Sequence, residues 1–338
     1  MITEQEAKSR DPEIRKKRAK NLIASLQRKS LLTVVVEPAS KCNLACSFCD
    51  AHSGRAPDFY KHAGLMKDET YKKIIDDLYE HNKLTNGKID MLQFFGNGEP
   101  LLNKKLEKFV ELAVEKDIAQ NYRVISNGVI LTPERVKSLI DSGISEIHVS
   151  LDTTNRERYL AVKKRDHLDR VLKNLHEAIP IIESRKKTTL FIKYFKKTTK
   201  NNYDIKNSDS DGVEEMFMDK AKNSEFVHLK SQFLGDIGFN MKNGKDINIP
   251  KPCEIPFYLI YILHRGNVSG CCSDVFDQLR IGNVLENSVN EILLGDKLKN
   301  IRMAHLNTNF DDYKLCKSCT LKTVVDIDDF KNKVQDYI

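Results

Sequence analysis

From Leu31 onward the chain alternates short apolar runs with longer segments whose apolar residues recur at helical spacing. The short runs, Leu31 to Glu37, Ile89 to Phe95, Tyr122 to Ser126, Glu146 to Leu151, Thr189 to Phe195 and Phe226 to Leu229, predict strands. The longer segments, Lys67 to Asn82, Asn103 to Lys116, Thr132 to Ser142, Leu168 to Ser184 and Val213 to Lys222, predict helices. One helix start is explicit: Leu131-Thr132-Pro133-Glu134 sets a capping Thr before a first-turn Pro and Glu. Strands that alternate with helices predict an α/β fold with a parallel sheet, whose ligands bind beyond the carboxyl ends of the strands.

The flanks differ. Residues 1–30 read as a basic helix with an apolar stripe of Ile14, Ala19, Leu22, Ile23 and Leu26, expected to lie on the wall of the α/β unit that follows (31–233). Lys196 to Asp211 is polar and predicts a loop, and 234–252 predicts a linker to a separate C-terminal module at 253–321, followed by a tail at 322–338. Inside that module Tyr258 to Leu263 predicts a strand, His264-Arg265-Gly266-Asn267 its hairpin turn, and Val268 the start of the return strand. The longest apolar stretch, Ile255 to Leu263, has nine residues, too few to cross a bilayer. Met1 to Lys20 carries no apolar core of a secretory signal, so a cytoplasmic protein is expected. A formal charge of +7 over 338 residues is mild and permits an acidic ligand without demanding nucleic acid.

Eight cysteines change this picture, because in a reducing cytoplasm they predict metal ligation rather than disulfides. Cys42, Cys46 and Cys49 form a C-x3-C-x2-C group directly after the first predicted strand. Three thiolates on one loop can hold three corners of a cubane iron–sulfur cluster, leaving the fourth iron open. Zinc is the competitor, although a structural zinc wants four ligands and only His52 adds one nearby. The second group is Cys253, Cys271, Cys316 and Cys319, with the predicted hairpin bringing the first two together. Four thiolates suit either tetrahedral zinc or a cluster. Cys272 is the eighth thiol, and a packed, uncommitted one is its plain reading.

Further motifs follow in order. Phe48 stands at the aromatic position of C-x3-C-x-aromatic-C, and Phe94-Phe95-Gly96-Asn97-Gly98-Glu99-Pro100-Leu101-Leu102, Ile125-Ser126-Asn127-Gly128 and Val149-Ser150-Leu151-Asp152 close the second, third and fourth predicted strands. Over about Leu31 to Leu229 the chain resembles the radical S-adenosylmethionine (radical SAM) enzymes. The resemblance implies a partial (β/α)6 TIM-type barrel with a 4Fe-4S cluster on Cys42, Cys46 and Cys49. It implies SAM held around Phe48, Gly96, Asn97, Gly98, Glu99, Ser126, Asn127, Ser150 and Asp152, with Arg165 near the SAM carboxylate. Gly96 and Gly98 would let backbone approach the ligand. Asp152 or Ser150 would equally suit the cap of a short helix over Thr154 to Tyr159, and Arg165 a surface position beside Lys163 and Lys164. Residues 253–321 are similar to the small α+β SPASM module, including Ile281-Gly282-Asn283-Val284. With no cysteine after Cys319 they resemble its shortened twitch form, as in 2-deoxy-scyllo-inosamine dehydrogenase-like proteins, with one auxiliary 4Fe-4S cluster on Cys253, Cys271, Cys316 and Cys319.

By that resemblance the protein is a radical SAM oxidoreductase. It would cleave SAM reductively to a 5′-deoxyadenosyl radical, with a flavodoxin or ferredoxin-type electron donor. The short segment before the barrel favours a small hydroxylated substrate, a sugar, cyclitol or related metabolite, oxidised as by a dehydrogenase. An epimerase with Cys272 as hydrogen donor and a ribosomal peptide maturase are the alternatives. An RNA-modifying enzyme using Lys8 to Lys20, or a zinc-binding nucleic-acid protein, fits less well, since zinc-finger His pairs and Trp are absent. Lys193 and Tyr194 on the fifth strand, and Lys230 and Gln232 after the sixth, are substrate-contact candidates. Inward-facing lysines would mean an acidic or phosphorylated substrate.

Overall fold

A computed structural model describes residues 22–24, 26–27, 30–54, 62–196, 210–233, 253–319, 331 and 334. Most of the expected basic helix, the loop after the fifth strand, the linker and the C-terminal tail lie outside the described residues. Six parallel strands, β1 (Thr33–Val36), β2 (Ile89–Phe94), β3 (Ala119–Ser126), β4 (Glu146–Asp152), β5 (Thr189–Lys196) and β6 (Val227–Phe233), pair in chain order. Helices α1 (Asp68–Leu84), α2 (Leu106–Glu115), α3 (Pro133–Asp141), α4 (Arg156–Lys163), α5 (Leu168–Arg185) and α6 (Val213–Lys222) make the crossovers, as in a partial barrel. Thr132 caps α3 as expected, accepting from Arg135 N.

Side chains alternate between the two faces of this sheet. Val34, Val36, Leu92, Phe94, Val124, Ile147, Val149, Leu190 and Ile192 belong to the main core together with Ile74, Leu78, Val110, Leu139 and Leu175 of the helices. The opposite, inner face is more polar. Register places Ile125, His148, Phe191 and His228 side by side across β3 to β6, and Lys193 beside Lys230 one layer nearer the strand ends. Arg123 pairs with Glu146 at 2.6 Å, and the buried His148 approaches the same carboxylate at 2.9 Å.

The C-terminal module continues the sheet of the barrel. After the turn α7 (Ile255–Tyr258), strand β7 (Leu259–Ile262) pairs in parallel with β1, and β8 (Asn267–Ser269) and β9 (Arg280–Asn283) continue the same nine-stranded sheet antiparallel. Three short helices complete it: α8 (Val289–Leu294), α9 (Asp296–Asn307) and α10 (Lys314–Ser318). Leu22 and Leu26 of the N-terminal segment pack with Phe257, Leu306 and Val334, so the described part of this stripe lies against the C-terminal module. Among the described residues no helix is long and apolar enough to cross a membrane.

A buried polar latch locks the junction of β1 with β7. Glu37, completely buried just beyond β1, accepts from Asn97 N at 2.9 Å and the Tyr261 hydroxyl at 2.8 Å through Oε1. Its Oε2 accepts from His264 N at 3.2 Å and lies 3.0 Å from His264 Nδ1. Burial alone would raise the carboxyl pKa, but the hydrogen bond and charge of His264 with the two backbone donors hold it below the ordinary value of 4.5. The latch therefore stabilises the fold fully above that ordinary value and is lost as pH falls through the lower, folded-state one. Glu37→Gln should cost about 3 kcal/mol at pH 7. The difference in melting temperature from wild type should shrink as pH is lowered below about 4.5; a pH-independent difference would contradict this electrostatic origin.

Candidate functional site

The loop carrying Cys42, Cys46 and Cys49 leaves the carboxyl end of β1 and is held by its neighbours' backbone. Ala45 N donates to Lys163 O at 3.3 Å and Ser47 N to Val162 O at 2.7 Å, so the end of α4 braces one side. Glu99 N donates to Lys41 O at 2.8 Å and braces the other. The two glycines of the segment after β2 serve these contacts. A Cβ on Gly98 would stand 2.3 Å from Lys41 O and 2.5 Å from Ala39 O, and one on Gly96 2.6 Å from both Glu37 Cγ and the Tyr261 hydroxyl. Their missing side chains admit the protein's own backbone and latch.

Glu99 likewise turns its carboxylate to the chain. Buried, it accepts from Leu101 N at 3.1 Å, Ser126 Oγ at 2.8 Å and Asn127 N at 2.7 Å, joining the ends of β2 and β3 to the cysteine loop. Burial outweighs these bonds and raises its pKa. Asn127 Nδ2 donates to Asn43 Oδ1 at 2.6 Å and lies 3.9 Å from Cys42 Sγ. The side-chain nitrogen of Asn97, Nδ2, is buried with no hydrogen-bond partner among the described residues.

A second cluster closes the site. Asp152, at φ +72° where β4 ends, forms an ion pair with Lys163 at 2.5 Å, and both side chains are buried. Lys163 Nζ also donates to Ser150 O at 3.0 Å and lies 6.0 Å above the Phe48 ring, which meets Phe195 edge-on at 5.9 Å. Burial raises the Asp152 pKa against the pull of Lys163, whereas for Lys163 the carboxylate and the nearby Cys46 outweigh burial and keep the ammonium charged. Asn155 caps α4 by accepting from Arg158 N at 3.0 Å, so neither Asp152 nor Ser150 does. Arg165 is exposed, and the buried cation of this site is Lys163. A signal was present: a carboxylate buried at a strand end needs a cation, and α4 offers one on its inner side.

At the second group, Cys253 and Cys316 are pushed up by burial and then by neighbouring thiols, Cys316 to about 12. The Cys253 thiol feels those of Cys319 and Cys316, and the Cys271 thiol feels those of Cys272 and Cys253. Cys271 packs on the main core, whereas Cys272 packs with Val35, Leu259, Tyr261 and Phe95 on the inner face. The adjacent thiols thus pack against different clusters, and Cys271 is linked to Cys316 and Cys319 through Cys253. His305, on α9, was missed from sequence. It is buried, accepts from Cys253 N at Nδ1 (3.0 Å), and has Nε2 3.5 Å from Cys316 Sγ, with burial lowering its pKa to about 4. The buried stripe Leu298, Ile301 and Ala304 leading to it was the available signal.

All eight cysteines are free thiols, and among the described residues no three His, Cys, Asp or Glu side chains converge on a point where one metal ion would sit. Grouped thiolates suit a multi-iron cluster, in which each iron takes its own sulfur. Burial pushes Cys42 up to about 12 and raises Cys46, so binding iron must displace their protons.

Comparison with known proteins agrees. Residues 36–203 match the radical SAM superfamily, and residues 253–320 match an iron–sulfur cluster-binding domain, SPASM. The chain belongs to the radical SAM superfamily. It is 29% identical over 141 residues to a probable GTP 3′,8-cyclase of Methanococcus maripaludis, covering 42% of this chain and 43% of that protein. To the GTP 3′,8-cyclase of Corynebacterium glutamicum it is 28% identical over 148 residues, covering 43% of this chain and 37% of that one. The chain thus spans about two fifths of the length of these curated relatives. Among solved structures, BtrN in complex with AdoMet and 2-DOIA superposes with a TM-score of 0.54 at 21% identity, over 86% of this chain and 92% of that one. The anSMEcpe structure with bound AdoMet and a peptide gives 0.57 at 17% identity, over 90% and 96%. Both share the fold over most of the chain. This radical SAM enzyme therefore works with SAM and iron–sulfur clusters, and its C-terminal module shares a sheet with its barrel.

Lys163→Met should leave Asp152 buried without its cation and lower stability by about 3–5 kcal/mol. Adding Asp152→Asn should recover part of the loss in melting temperature; no recovery would show that the pair does not act as a unit.

Proposed function

We propose that this radical SAM enzyme oxidises a small hydroxylated metabolite bearing an acidic group, with the second thiol group holding the electron acceptor. The observation that carries the proposal is the grouping of Cys253, Cys271, Cys316 and Cys319 in a module that β7 ties to β1, the strand leading into the first cysteine loop. Cys42, Cys46 and Cys49 would hold the first cluster, and Cys253, Cys271, Cys316 and Cys319 the auxiliary one. Held there with SAM, the first cluster would supply radical chemistry able to remove hydrogen from an unactivated carbon.

The chain's own work is to orient and to exclude water. The buried Asn97 amide offers a donor to SAM, while Glu99, Ser126 and Asn127 keep the loops in register around it. Phe48 against Phe195 shields the space beneath the cysteine loop. Ser150 and Asp152 position Lys163 over Phe48. On the inner wall Lys193 lies beside Lys230, whose pKa burial lowers to about 8. Two neighbouring ammonium groups suit a phosphate or carboxylate on the substrate. Tyr194 is no part of this wall, because successive strand residues point to opposite faces and its hydroxyl bonds Glu214 on α6. The names of the GTP 3′,8-cyclases and the 2-DOIA bound to BtrN are in keeping with a small-molecule substrate. A flavodoxin or ferredoxin-type donor would deliver the electron.

Epimerisation is a second reading, favoured by Cys272 facing the inner space beside Tyr261 and Phe95. Cys272→Ala should leave turnover intact if the product is oxidised and abolish it if the thiol quenches a substrate radical. Anaerobic reconstitution should load about eight irons and, with SAM and dithionite, yield 5′-deoxyadenosine. Cys42→Ala should abolish that nucleoside, whereas Cys316→Ala should keep it while losing about half the iron and the oxidised product. Stoichiometric zinc at the second group would overturn the assignment.

A further inference from the structure

We infer that His305 is a positioning residue for the auxiliary centre: its Nε2–H donates to the sulfur of Cys316 and makes that centre easier to reduce. The inference rests on the auxiliary centre proposed above. A ring nitrogen that accepts a hydrogen bond carries no proton, and His305 Nδ1 accepts from the backbone N–H of Cys253 at 3.0 Å. The one proton of the neutral ring must then sit on Nε2, 3.5 Å from Cys316 Sγ. A doubly protonated ring would oppose two N–H groups at Cys253, so the backbone contact itself selects the tautomer.

The ring is fixed from its other sides as well. It lies on the buried stripe of α9 and meets the Phe310 ring edge-on at 4.8 Å. In this way one imidazole joins the backbone of Cys253, which precedes β7, to the C-x2-C pair near the end of the module. A donor fixed on a ligand sulfur draws electron density from that thiolate and favours the more reduced state of the cluster. Such a shift serves an electron acceptor for a substrate radical.

The test uses anaerobically reconstituted holoenzyme labelled with 15N-histidine and reduced with dithionite. Pulsed electron paramagnetic resonance of the auxiliary centre should show a weak 15N coupling, as from a nitrogen one hydrogen bond away from the cluster. No coupling, or the strong coupling of a nitrogen bound directly to iron, would overturn the inference. Redox titration gives an independent readout. The auxiliary midpoint should move to more negative potential in His305→Leu and return toward wild type in His305→Gln, which restores an N–H, while the midpoint of the SAM-binding cluster stays fixed. An unmoved auxiliary midpoint in His305→Leu would overturn it too, and if that variant fails to hold iron the wild-type coupling decides. Formation of 5′-deoxyadenosine in the same samples reports separately on the proposed function: its absence would count against that reading while leaving the coupling result to stand.

Discussion

Strand β1 sits between β2 and β7, and this shared strand is what the remaining architecture depends on. Its carboxyl end opens into the first cysteine loop, and its β7 neighbour opens into the hairpin that leads to Cys271 and Cys272. Because parallel register fixes residue against residue, from Thr33 opposite Leu259 to Val36 opposite Ile262, the two thiol groups are held by one rigid ladder. Glu37 fastens the same junction with side-chain and backbone bonds to Tyr261, His264 and Asn97. A flexible tether between two domains would let the distance between the two thiol groups vary, and a continuous sheet does not.

The site is built mainly from buried charge that the chain itself neutralises. Glu37, Glu99 and Asp152 are all inaccessible to water, and each meets backbone donors, a hydroxyl or an ammonium within bonding distance. Burying a carboxylate costs several kcal/mol, which only such complete pairing offsets. These three residues hold the loops after β1, β2 and β4 in one arrangement, and Asp152 tolerates the left-handed backbone that turns the chain there. Preorganisation of this kind lets a ligand meet a finished surface.

The parallel α/β sheet was legible because its helices and strands carry unambiguous periods, and the chemistry through the family resemblance that the cysteine loop and the motifs after it carry. What escaped was what depends on partners distant in sequence. The edge of β7 was readable as a strand, but nothing local says that it joins β1. Lys193 and Tyr194 read alike as strand residues, and only the register assigns one to the inner wall and the other to α6. Gly96 and Gly98 announced a close approach without saying to what. Lys163 and Arg165 stand two apart in a basic run, and the exposed one fitted the family pattern. Helix α9 was unread because Lys297, Lys299, Asn300 and Arg302 interrupt its short apolar stripe, and His305 was missed with it.

The account depends on three thiolates leaving one iron for SAM. Mössbauer spectroscopy of 57Fe-reconstituted enzyme, with and without SAM, tests this most directly. The account predicts that one iron of about eight changes its isomer shift when SAM is added while the others keep theirs. A spectrum unaltered by SAM, with every iron already held by the protein, would contradict it.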